Sequence, residues 1–221
     1  RAIPGQAGRP MRIWQAGQWK EVTGWGDITT LTLSLPGAPT LRRRWASLIG
    51  APDLQLFPAH FNARSVSFRA GLDLKLMHGG LSLLSQPVRW KWLPSLAPLA
   101  RPLKWVADRL EPFGSSTGGM RVSVTGLNAR REPIARDWTL IVEGGDGPAI
   151  PAIPAEILCR KIASGEIAPG ARPCLDEFTL DEAEHALGRL RVTTGQTERP
   201  APFLFTTILG DQFKRLPPPI Q

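Results

Sequence analysis

Apolar and polar residues alternate most regularly where Met120, Val122 and Val124 lead into a polar loop and Trp138, Leu140 and Val142 alternate back out of it. This pattern predicts a long antiparallel hairpin with one buried face. A shorter hairpin is predicted in MRIWQAGQWKEV, with Ile13 and Trp14 on one arm, Trp19 and Val22 on the other, and Gly17 in the turn. Leu31, Leu33 and Leu35 alternate within residues 29–37, and Val66 and Phe68 do so within RSVSFRAGL, so each stretch is expected to be a strand. LRRRWASLIG lacks the alternation and is expected to be a short connector of helical character ending at Gly50.

Helical spacing takes over between Leu72 and Leu110. LDLKLMHGGLSLL carries it despite Gly79 and Gly80, which weaken a helix interior. Further on, Leu96, Leu99, Leu103, Val106 and Leu110 form a stripe that Pro98 and Pro102 are expected to break or kink. Past the long hairpin, PAIPAEILCRKIASGE predicts a helix carrying Ile157, Leu158 and Ile162. A second helix is expected in FTLDEAEHALGRL, where Thr179 and Glu182 have capping-box spacing. RLRVTTG is expected to be a terminal strand. Strands and helices mix without a βαβ rhythm, which predicts an α+β fold with a largely antiparallel or mixed sheet and helices mainly on one face.

Charge divides the chain unevenly. Residues 1–113 hold 15 Lys and Arg against 6 Asp and Glu, and seven of the eight Trp, whereas residues 114–221 hold 12 against 13. A basic, Trp-rich half suits an anionic partner, although a solvated Arg-rich surface produces the same composition. VRWKWLPSLAPLARPLKWVADRL mixes Arg89, Trp90, Lys91, Trp92, Lys104 and Trp105 with leucines, as interfacial helices do. The alternative is a helix covering one side of the sheet, with its Trp side chains packed inward. Arg89, Lys91, Arg101 and Lys104 interrupt every window long enough to span a bilayer. No docking motif frames Arg42, Arg43 and Arg44 or the 89–105 series, so nucleic acid ranks last among the partners.

Few motifs carry chemistry. GGDGPAI follows a predicted strand but lacks the third glycine of a dinucleotide fingerprint, and no G-K-[ST] phosphate loop occurs. His60, His78 and His185 are isolated and are expected at the surface or partly buried, and no metal site is expected. Cys159 and Cys174 form no CxxC pair, which suits free thiols in a reducing compartment. The chain opens on Arg1 without a secretory pattern, which is what a piece of a larger protein would show.

From Gly118 to Leu175 the chain resembles the second domain of the saccharopine dehydrogenase-like oxidoreductases. The resemblance rests on Val124 to Gly126, the returning strand Trp138 to Val142, the turn Asp146 to Pro148, the helix segment Ile157 to Ile162, and Gly165 to Gly170 in GEIAPG. RSVSFRAGL and PSLAPLARPL also resemble bacterial members, and LGDQFKRLPPPIQ is similar to the opening of a C-terminal domain of unknown function. The resemblance implies an α+β substrate-facing or dimerisation domain over residues 1–195, then a linker and the start of a further domain over 196–221. It implies a parent protein whose N-terminal Rossmann domain binds NADP or NAD, while this chain binds no cofactor and is inactive alone. Ser115, Ser116, Gly118 and Gly119, with Asp146, Gly147 and Pro148, are then expected to face the cofactor domain or substrate; no catalytic residue is carried over. The implied partners are that Rossmann domain and a second copy of the chain. The expected location is the cytoplasm, at an anionic membrane surface if the stretch 88–110 reaches one.

Overall fold

The computed structural model describes residues 2–201. A short helix, α1 (Ala2–Gln6), leads into the expected first hairpin, β1 (Pro10–Gln15) and β2 (Gln18–Thr23), in which Trp14 pairs with Trp19. Ala16 and Gly17 both take positive φ at its tip, the geometry a two-residue turn needs to follow strand twist. The next sheet has the order β3 (Thr29–Leu33), β4 (Leu41–Leu48) and β5 (Arg69–Ala70), all antiparallel.

Strand β4 corrects the expectation of a helical connector at LRRRWASLIG. Arg43 sits at φ 48° where the β3–β4 register shifts, and its amide donates to the Thr32 hydroxyl at 3.2 Å. This irregularity destroys the period of two, so a strand with Leu41, Ala46, Ser47 and Leu48 buried shows no alternation. RSVSFRAGL forms less strand than expected: one bridge from Val66 to Trp14, and then β5.

Helices α2 (Asp53–His60), α3 (Lys75–Leu84) and α4 (Gln86–Arg89) follow, then a 3-10 turn (Ala97–Leu99) and α5 (Ala100–Leu110). Pro98 lies in the 3-10 turn and Pro102 in the first turn of α5, where a missing N–H costs no hydrogen bond. The prolines therefore start the helix rather than kink it. Two small cores hold these elements. One joins Ile13, Leu48 and Leu54; the other joins Ala7, Trp25, Leu81, Val88 and Leu96.

The long hairpin is β6 (Gly118–Leu127) and β7 (Pro133–Val142), and β8 (Val192–Pro200) pairs along the whole of β7. Between them run a 3-10 turn (Gly147–Ala152), α6 (Ile153–Ala163) and α7 (Leu180–Leu187). Successive side chains of β7 alternate faces. Leu140 and Val142 pack under Ile153, Ile157 and Leu187 of the two helices. Ile141, on the other face, packs against Leu33, Leu35 and Leu41 of the β3–β4 unit. Glycines permit that second contact: a Cβ at Gly119 would lie 2.7 and 2.8 Å from Leu33 and Leu41, and one at Gly195 would lie 2.7 Å from Leu35.

The protein is thus α+β with antiparallel sheets, and the helices α6 and α7 cover one face of the largest. One expectation fails in detail. Met120, Val122 and Val124 of β6 lie on the helix-bearing side but beyond the helices, and stay exposed. β8 runs unbroken to Pro200, and the segment similar to the opening of a further domain lies outside the described residues.

Candidate functional site

The two loops singled out from sequence meet at one end of the β6–β7 hairpin, where Gly118 pairs with Val142. After Val142 the chain reverses through Gly144 and Gly145, at φ 65° and 80°. A side chain at Gly144 would strike the Arg191 guanidinium, 2.7 Å from the Cβ position. The Gly145 amide donates to the Ser116 carbonyl at 3.0 Å, which ties the two loops together. Gly118 and Gly147 both border the Val142 side chain. The glycines of EGGDGPAI thus shape a turn.

Within the site, residues differ in what they have left to offer a ligand. Asp146 is committed: one carboxylate oxygen accepts from the Arg191 amide at 2.9 Å, and its carbonyl accepts from the Ala149 amide at 3.0 Å. Ser115 is equally engaged. Its hydroxyl donates to Asp73 Oδ1 at 3.0 Å and accepts from Arg44 at 3.2 Å, and its amide donates to the other Asp73 oxygen. Arg44 also pairs with Asp73 directly. Burial pushes the Asp73 carboxyl up, but the Ser115 hydrogen bonds and the Arg44 charge outweigh it and hold its pKa below the usual value. Gly119 faces Leu33 and Leu41, which makes it a packing position. Ser116 and Pro148 are exposed and Gly147 half-buried at the open end of the sheet.

The basic Trp-rich stretch corrects the inward-packing alternative in part. Leu96 is fully buried, but α5 buries no side chain fully. Trp92 is 75% and Trp105 59% exposed, and the Trp90 and Trp92 rings lie 5.2 Å apart. Arg109 stacks over Trp105 at 4.8 Å, and Lys104 pairs with Asp108 at 2.7 Å. Arg89 leaves this stretch to line a groove of about 580 Å³ beside the first hairpin, with Trp14, Lys20, Ser67 and the Arg69–Asp27 ion pair. No sequence signal could mark that groove, because its residues are spread from 13 to 89 and adjoin only after folding.

Sequence reading also missed a buried polar pair. His78 is wholly enclosed, contrary to the expected surface or partly buried placement. Its ring lies 4.7 Å from Trp25 and 6.0 Å from Trp45. The Leu72 amide donates to Nδ1 at 3.5 Å, so Nε2 carries the proton and donates to the buried Ser47 hydroxyl at 2.9 Å. Burial lowers the His78 pKa, which keeps the ring neutral. The wholly buried pair fastens β4 to α3. His60 instead reaches Asp176 at 2.9 Å.

Among the described residues, no three His, Cys, Asp or Glu side chains gather as metal ligands, and no helix is long and apolar enough to cross a membrane. Cys159 and Cys174 are free and exposed. No family model matches the chain, and a search of curated proteins finds no significant match.

Proposed function

We propose that the chain is the substrate-facing or dimerisation domain of a saccharopine dehydrogenase-like oxidoreductase, acting beside a Rossmann domain that binds NADP or NAD. The observation that carries this reading is the junction of the two glycine-bearing loops, 114–119 and 143–148, by the Gly145–Ser116 hydrogen bond. It leaves Ser116 and Pro148 exposed and Gly147 half-buried at the open end of a three-stranded sheet, the kind of platform on which binding loops are positioned. Backbone groups and one hydroxyl suit contact with a ligand held mainly elsewhere. The committed groups Asp146 and Ser115 hold the platform in shape.

The experiment is a titration of NADPH against this chain and against a polypeptide in which a dinucleotide-binding domain precedes it. Saturable binding belongs to the longer polypeptide only. Saturable binding by the chain itself, or by neither, removes the reading.

A second reading draws on the exposed Trp90, Trp92 and Trp105 among Lys91, Arg101 and Lys104: docking on an anionic membrane surface. Co-sedimentation with phosphatidylserine vesicles at low salt tests it. Binding should be lost when Trp92→Ala and Trp105→Ala are combined, and absence of binding by the unaltered chain ends it.

A further inference from the structure

Among the described residues, strand β6 is an edge strand without the usual protection. It occupies the end of the β6–β7–β8 sheet, runs ten residues and pairs with β7 without a bulge. It contains no Pro, Lys or Glu, the residues that commonly keep such an edge solitary. Its single charge, Arg121, is drawn down to the Thr32 carbonyl of β3. On the helix-bearing side it presents Met120, Val122 and Val124, exposed by 43, 48 and 63%. Unpaired backbone groups beside a contiguous apolar row are a template for another strand.

The order of residues in β6 points to what that strand is. In an antiparallel pair, directly opposed residues share a face. If β6 meets its own copy about a two-fold axis at Val122, then Met120, Val122 and Val124 face Val124, Val122 and Met120 of the second copy. Arg121 then faces Ser123, Gly119 faces Thr125, and Gly118 faces Gly126. A two-fold axis at Arg121 would set two guanidinium groups against each other, which is unfavourable. One at Ser123 would leave Met120 against a glycine. An axis between residues would turn apolar side chains against the polar row of the other copy. Only the Val122 register matches apolar with apolar throughout and separates the charges.

We propose that β6 pairs with β6 of a second copy in the Val122-centred register, joining two three-stranded sheets into one of six strands. Such a contact is isologous and closes on itself, so it produces dimers rather than fibres. It sharpens the dimerisation part of the reading above. Its test reads association rather than cofactor binding, so the two can fail separately.

Sedimentation velocity of the chain should show the weight-average mass rising from one chain toward two over about 1–100 μM. Val124→Lys, at an exposed position, should leave the fold intact and weaken association about tenfold or more. Register is tested by cysteine cross-linking in a Cys159→Ser, Cys174→Ser background. Val122→Cys should oxidise to a disulfide-linked dimer, and Val124→Cys alone should not, whereas a mixture of Met120→Cys and Val124→Cys chains should. A single-chain mass at every concentration overturns the proposal, as does equal self-cross-linking of Val122→Cys and Val124→Cys.

Discussion

The two halves of the molecule build stability differently. Residues 118–200 form one sheet whose central strand β7 is packed on both faces, with Leu140 and Val142 under α6 and α7 and Ile141 over the β3–β4 leucines. Residues 2–113 have two small cores and short elements, stitched by the Ser47–His78 hydrogen bond and the Arg44–Asp73–Ser115 cluster. Long strands pair many residues locally, so a modest apolar pattern suffices. Short elements depend on a few buried side chains, and each one matters more. The first half also keeps its Trp-bearing helix α5 largely exposed, whereas the second exposes chiefly the edge of β6.

The strongest way to break this comparison is Trp25→Ala. Trp25 is the largest member of its core, and its loss should cost about 3–5 kcal/mol. Hydrogen exchange should then quicken across 75–89 while β7 stays protected. Equal loss in both halves would show that they unfold as one unit.

Next in size, Gly119→Ala attacks the seam between the halves. The added methyl would crowd Leu33, Leu41 and the Leu140 carbonyl, at an expected cost of about 1–3 kcal/mol in urea unfolding. An unchanged midpoint would mean that the seam is loosely packed.

Acid should sharpen the contrast. The folded His78 holds its proton less readily than the usual 6.5, so the unfolded chain binds more protons as pH falls. The stability due to its neutral form is complete above 6.5 and is lost progressively below it. The urea midpoint should therefore fall between about pH 7 and about pH 5. His78→Gln should flatten that dependence; if it does not, another group is responsible.

The smallest effect belongs to the second half. Thr179→Ala removes a reciprocal cap, in which the Thr179 hydroxyl accepts from the Glu182 amide and the Glu182 carboxylate accepts from the Thr179 amide. About 1 kcal/mol should be lost, with faster exchange confined to the start of α7.

The sequence announced elements whose causes are local. Period-two alternation marked β6 and β7, the turn at Gly17 marked the first hairpin, and the cap at Thr179 marked α7. Strand β4 escaped because the left-handed Arg43 breaks its alternation, and no pattern within ten residues reveals such a bulge. The burial of His78 was hidden for a related reason: its partners Ser47, Trp25 and Trp45 are more than thirty residues away. Of the candidate site, the turn glycines and the loops were legible. The engagement of Ser115 by Asp73 and Arg44 was not, since that cluster joins three distant segments. The exposure of Met120, Val122 and Val124 was also concealed, because alternation marks a shared face without saying whether anything covers it.

The most direct measurement of the functional account is hydrogen exchange at 114–119 and 143–148, with and without NADPH, in this chain and in a polypeptide joining it to a dinucleotide-binding domain. The account predicts that NADPH slows exchange at both loops in the joined polypeptide and changes nothing in the chain alone. Protection in the chain alone, or none at these loops when the joined polypeptide is saturated, would contradict it.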